Sequence, residues 1–171
     1  NVNPGFLKPT NNDSEIKNIA LQEEKGLESA LYFTENYKVN DELLINLGLR
    51  YSIFSALGPS SQNIYGTDFP KSDRNVTETK TYSNNDVIKT YGGFEPRISA
   101  RYFILPDLSI KASFDRTYQY VHLLSSNTTQ SPIDIWKLSD LNTEPQSSNQ
   151  FSLGLFKNII KNSIELSVEG Y

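Results

Sequence analysis

The sequence predicts an all-β fold of antiparallel, up-and-down strands, about six of them arranged as three hairpins. Three observations predict it. Apolar side chains recur at every second position, the alternating runs come in pairs joined by short turns, and the pairs are separated by long polar stretches. Period two marks a strand with one greasy face. Helical periodicity is weak throughout, apart from a short turn read in SEIKNIALQEE (14–24).

Residues 1–25 read as a lead-in loop. The first hairpin, 26–56, joins GLESALYFTENYKV (26–39) to ELLINLGLRYSIFSA (42–56) through Asn40 and Asp41, residue types that favour tight turns. Residues 57–93 are rich in Ser, Thr, Asn, Asp, Gly and Pro and read as a long loop. The second hairpin, 94–120, turns at Pro106 and Asp107, and a second long polar loop covers 121–148. The third hairpin, 149–171, pairs NQFSLGLFKNI (149–159) with SIELSVEGY (163–171) across a Lys161-Asn162 turn. All the short turns fall at one end and all the long loops at the other. Outer-membrane barrels show that asymmetry, with short periplasmic turns and long extracellular loops, although a soluble Greek key or jelly roll can imitate it.

Composition narrows the classes. A chain of 171 residues suits one domain. Net charge is -4, with Lys and Arg scattered, so nothing offers the basic footprint that a nucleic-acid partner requires. The chain has no cysteine, which excludes disulfides and Cys-ligated zinc. No apolar run approaches the ~18 residues of a membrane-spanning helix, but spanning strands average out to a polar sequence, so hydropathy does not exclude them. There is no starting Met, charged leader or apolar signal core, and the N-terminus reads as internal to a longer precursor.

The two faces decide between a protein core and lipid. One face carries Leu43, Ile45, Leu47, Leu49, Tyr51 and Ile53, then Ile98, Ala100, Tyr102, Ile104, Leu108, Ile110, Ala112 and Phe114, then Phe151, Leu153, Leu155, Ile164, Leu166 and Val168. The other carries Arg50, Glu95, Arg97, Arg101, Lys111, Asp115, Glu165 and Glu169. A Lys or Arg facing lipid costs roughly 2–4 kcal/mol at the midplane and little at the interface, so the centres of a lipid face should be free of charge. They are. The exceptions, Glu35 and Arg116, fall near strand ends. Arg116 stands a climb of roughly 20 Å above Leu108, close to the rim of an apolar band about 25 Å tall. Tyr118 and Tyr120 above, with Tyr37 and Tyr102 nearer the short turns, are placed like two aromatic girdles. The predicted architecture is therefore a transmembrane β-barrel wall. Barrels begin at about 8 strands and open edges are not tolerated in hydrocarbon, so six strands must belong to a larger barrel. The stop at Tyr171, in mid-strand by its pattern, agrees with a segment.

The strings ESALYFTENYKVNDELLINLGLRYSIF (28–54), FEPRISARYFI (94–104), SIKASFDRTYQYVHLLSSNTTQSPIDIW (109–136), SSNQFSLGLFKN (147–158) and IELSVEGY (164–171) resemble the barrel of TonB-dependent outer-membrane receptors, particularly the type abundant in Bacteroidota. The resemblance covers nearly everything after about residue 24. It implies a barrel of about 22 strands in the bacterial outer membrane, whose lumen holds a plug domain absent from this chain. It also implies energy-coupled import of an iron chelate, corrinoid, glycan or peptide. The implied partners are lipid and lipopolysaccharide, the plug and the remaining strands, the TonB complex acting through the plug, and a SusD-like surface lipoprotein. Soluble β-binding modules and passive porins or adhesins are the competing classes.

No catalytic constellation, metal site or cofactor motif is present. His122, the sole histidine, sits beside Leu123 and Leu124 and reads as rim packing rather than as a metal ligand. No G-x-S-x-G or phosphate loop occurs. The eight charged residues have two readings: a ladder pairing across strands and with the plug, or a polar lining that guides substrate. Trp136, with Ile133, Ile135 and Leu138, packs its own loop or stacks a sugar or aromatic ligand. Tyr65 and Tyr82, with Phe69 and Tyr91, belong to the other long loop and either meet ligand or fold over the barrel mouth. Sequons at Asn12, Asn75 and Asn127 match a short pattern that arises by chance.

Overall fold

A computed structural model describes residues 6–7, 19–20, 23–68, 70–124, 135–159 and 164–171. Twelve strands follow in chain order: β1 Phe6–Leu7, β2 Ile19–Ala20, β3 Lys25–Lys38, β4 Leu43–Leu57, β5 Ser60–Tyr65, β6 Val76–Tyr82, β7 Val87–Leu105, β8 Leu108–Gln119, β9 Val121–Leu124, β10 Ile135–Leu138, β11 Gln146–Ile159 and β12 Ile164–Gly170. The described residues contain no α-helix, only a 3-10 turn at Asp73–Asn75. The fold is all-β and antiparallel. Six strands form one open sheet in the order β12-β11-β8-β7-β4-β3, and β1–β2, β5–β6 and β9–β10 form three two-stranded sheets.

The stretches expected as long loops differ from expectation, since 57–93 contains the β5–β6 hairpin and 121–148 contains β9–β10. The reason lies in their polarity. In β5–β6 Thr79 donates to the Asn63 side chain at 2.9 Å and the Ser61 and Thr81 hydroxyls lie 3.4 Å apart. With polar residues on both faces, the two-residue period leaves no hydropathy signal. β7 likewise starts at Val87, before the hairpin boundary placed at 94. The helical turn read at 14–24 falls mostly outside the described residues, and Ile19 and Ala20 within it are strand. The Lys161-Asn162 turn, Phe69, Ile133 and the sequons at Asn12 and Asn127 also lie outside them.

Contacts divide the chain into two units. The sheet unit comprises 29–53, 92–118 and 146–171; the loop unit comprises 1–28, 54–91 and 119–145. In the sheet unit, Asn40 closes the first turn by accepting the N–H groups of Glu42 at 2.9 Å and Leu43 at 2.7 Å. Asp41 bonds Lys38, and that hydrogen bond and charge hold its carboxyl below the usual range. Pro106 and Asp107 form a two-residue turn between Leu105 and Leu108, which face each other across the ladder. From there the register runs Tyr102 to Ile110, Ala100 to Ala112 and Ile98 to Phe114 on one face, and Arg101 to Lys111, Ser99 to Ser113 and Arg97 to Asp115 on the other.

Among the described residues of the sheet unit, none covers the apolar face. Leu47 is 43% exposed and Leu166 56%, while Ile110 is half-buried among its neighbours on the ladder. Apolar contacts on this face are lateral: Tyr51 meets Phe94 with ring centroids 4.8 Å apart, and Phe114 meets Phe151 at 4.7 Å. The face is less clean than the sequence suggested. Lys157 shares it, opposite Leu166, and its ammonium reaches the Asp107 carboxylate at the neighbouring turn, 2.5 Å away. That hydrogen bond holds Asp107 below the usual carboxylate range.

The loop unit has a small core of its own. Phe54, Ala56, Tyr120 and Leu138 are buried, and the Phe54 and Tyr120 rings stack nearly parallel with centroids 5.0 Å apart. Gly26 makes room for them, because a Cβ there would stand 2.6 Å from the Phe54 ring. The upper girdle read from Tyr118 and Tyr120 is thereby corrected. Tyr120 is buried on Phe54, and in the sheet unit the Tyr118 ring lies across Gly93, where a Cβ would come within 2.3 Å of it. Each ring takes a protein surface that packs it more closely than lipid can. Tyr37 and Tyr102 do remain exposed.

Candidate functional site

The polar face of the sheet unit brings together six of the eight charged residues on adjacent strands β4, β7 and β8. Period-two alternation puts them on one side, and the ladder register sets their spacing. Arg50 approaches Glu95, with Nε 3.9 Å from Oε1, and Glu95 is only 3% exposed. Arg97 stands opposite Asp115 and Arg101 opposite Lys111. Glu165 and Glu169, on β12, face Asn158 and Gly154 of β11. The acidic pair therefore occupies an edge strand, while three of the four cations crowd β7 and β8.

Between the charges runs a hydroxyl and amide ladder that charge alone did not reveal. Asn46 donates to Ser99 at 3.1 Å, and the Ser113 and Ser152 hydroxyls are 2.6 Å apart. A concavity of about 520 Å³ is lined by Asn46, Arg97, Ser99, Lys111, Ser113 and Asp115, among others. Sequence reasoning also missed two aromatic rings at the side of Arg101. The guanidinium carbon lies 5.1 Å from the centroid of Phe103 and 5.2 Å from that of Phe156, and Nε donates to Ser109 at 2.9 Å. Counting parity through Tyr102-Phe103-Ile104-Leu105 would have found Phe103, since the polar residues 97, 99 and 101 share its odd number.

In the loop unit Trp136 is 48% exposed, facing Leu123 across the β9–β10 ladder. Its neighbours are fixed. Lys137 bonds both Glu24 and Asp140, and Glu24 also accepts the Leu138 N–H at 2.7 Å. Asp140 accepts the N–H groups of Asn142 at 2.8 Å and Thr143 at 2.9 Å, and its carbonyl accepts the Tyr91 hydroxyl at 2.6 Å. Burial draws the Lys137 ammonium down, but the bonds and charges of Asp140 and Glu24 outweigh it and raise the group overall. Burial pushes the Asp140 carboxyl up, but Lys137 and the two N–H groups bring it below the usual range. His122 is buried, with Nε2 2.9 Å from the Ser139 hydroxyl. No metal-ligand group of three or more acidic or imidazole side chains occurs among the described residues.

Tyr65 ends β5 opposite Val76, and Tyr82 ends β6 opposite Ser60 with the Lys80 ammonium 5.0 Å from its ring centroid. A void of about 10 Å³ in this unit is lined by Glu24, Lys25, Gln62, Leu138 and Asp140, among others, and by none of Trp136, Tyr65 and Tyr82. The structure therefore groups the charges of the sheet but does not gather the three loop aromatics at that void. The Asn75 amide is engaged, donating to the Pro70 carbonyl at 2.7 Å.

Compared with known families, residues 7–168 match the model of an outer membrane beta barrel domain. No curated protein and no solved structure matches the chain. The match spans nearly the whole sequence, so the chain belongs to the outer membrane β-barrel domain family, and its place is the bacterial outer membrane.

Proposed function

We propose that this outer membrane β-barrel domain is part of the wall of a TonB-dependent receptor, and that it serves ligand import rather than catalysis. The observation that carries the reading is the two-faced sheet: an apolar face that no described residue of the sheet unit covers, backed by a face bearing charges from four strands. The apolar face suits hydrocarbon and lipopolysaccharide acyl chains; the ionic face suits a wet lumen holding a plug. Edge strands β3 and β12 would pair with further strands to close a barrel of about 22. The TonB complex would act on the plug, and a SusD-like lipoprotein would cover the mouth. The ligand would be an iron chelate, corrinoid, glycan or peptide. Arg50–Glu95 and Arg97–Asp115 complement each other across strands, which supports a structural ladder for those four charges.

A passive porin or adhesin is the second reading, because a lipid face and a polar lumen are common to all of these barrels. Uptake separates them. Cells producing the complete protein should accumulate labelled ligand against its gradient, and a protonophore should abolish that accumulation. Uptake that ignores the protonophore, together with steady ohmic conductance in a planar bilayer, contradicts the receptor reading.

A further inference from the structure

Across β4, β7 and β8 the charges of the polar face are matched by opposite sign except at one level. Arg97 faces Asp115 and Arg50 lies beside Glu95, yet Arg101 stands directly opposite Lys111. Like charges placed directly across a ladder destabilise it. Among the described residues neither cation has an ion pair. At the same time Arg101 is held still, by the Ser109 hydroxyl at Nε and by the rings of Phe103 and Phe156. A fixed guanidinium loses little freedom when a ligand binds, and its planar fork matches a carboxylate. Lys111 is exposed and supplies a second, movable donor.

We propose that Arg101 and Lys111 form a carboxylate-binding site, with the Phe103 and Phe156 rings receiving the apolar carbon that carries the acid. The bound carboxylate restores the missing counter-charge. It belongs either to an acidic side chain packed on this face or to a small organic acid in the water along it. The assignment requires only that the polar face be wet, so it stands or falls separately from energised uptake.

The test uses the complete protein in detergent micelles, with succinate as the probe and the thermal unfolding midpoint as the readout. If the acid is free, succinate raises the midpoint and Lys111→Gln weakens the apparent affinity at least about tenfold, the worth of one charge-assisted hydrogen bond, while Lys111→Arg retains it. If an acidic side chain already fills the site, succinate changes nothing and Lys111→Gln lowers the midpoint. Either result supports the site. A midpoint unchanged or raised by Lys111→Gln with no succinate effect, or a succinate shift that survives Lys111→Gln, overturns it. Because Lys111 is exposed, these variants keep the test open even if Arg101→Gln fails to fold.

Discussion

The sheet unit and the loop unit solve the same problem in opposite ways. The loop unit buries Phe54, Ala56, Tyr120 and Leu138 against one another and ties its strands with Lys137, Glu24 and Asp140. The sheet unit instead leaves Leu47, Ile98, Phe151 and Leu166 exposed. Water is an unfavourable solvent for such a face, at roughly 25 cal/mol per Å² of apolar area. One unit therefore carries its core inside the chain, and the other borrows one from the membrane. A single polypeptide folded for two solvents is what the comparison teaches.

The comparison breaks most visibly if charge is moved between faces. Ile98→Arg, in the middle of the sheet, should cost about 2–4 kcal/mol of stability in lipid vesicles by urea titration, whereas Ser99→Arg on the opposite face should cost far less. Equal costs would erase the distinction. In the loop unit, Phe54→Ala removes the partner of Tyr120 and leaves a cavity, so about 3–5 kcal/mol of local stability should be lost, read as faster amide exchange in β9 and β10. The sheet should keep its protection.

A smaller effect concerns the ion cluster. Lys137→Met leaves Glu24 and Asp140 without their shared cation and should cost about 1–3 kcal/mol in the loop unit, seen as protease cleavage near β10. Its pH dependence follows from the two shifts. Asp140 is depressed when folded, so its contribution is present above the unfolded carboxylate value near 4 and disappears as pH falls through the lower folded value. Lys137 is raised, so its contribution is present below the unfolded value near 10 and disappears as pH rises through the higher folded value. Protection of β10 should then be flat from about pH 5 to pH 9. A loss near neutral pH would mean that another group holds the hairpin. Smallest of all, Trp136→Ala should leave the unfolding midpoint of the loop unit nearly unchanged in a urea titration, since the indole is half exposed.

Much of the sheet was legible because its two faces meet different solvents. Wherever one side of a strand is apolar and the other ionic, as in 97–103 and 108–115, the period shows in the letters and the register follows from the turn at Pro106-Asp107. The same logic hid β5–β6, whose Ser, Thr and Asn fill both faces, and hid the stacking of Tyr120, because strand parity cannot say which neighbour a long ring will choose. Of the candidate site, the charges were visible and their partners were not. Nothing in the order of residues shows that Arg97 meets an acid while Arg101 meets another cation, since that depends on the ladder register.

The central claim, that odd and even positions of the sheet touch different solvents, has a direct measurement. The chain has no cysteine, so single cysteines can be placed at Leu47, Leu153 and Leu166 and at Ser99, Ser113 and Ser167 of the complete protein in bilayers, each carrying a fluorophore. Brominated lipid should quench the first three strongly and the last three weakly, and iodide in the water should do the reverse. Quenching by iodide alike at all six positions would contradict a lipid face and return these strands to a water-soluble fold.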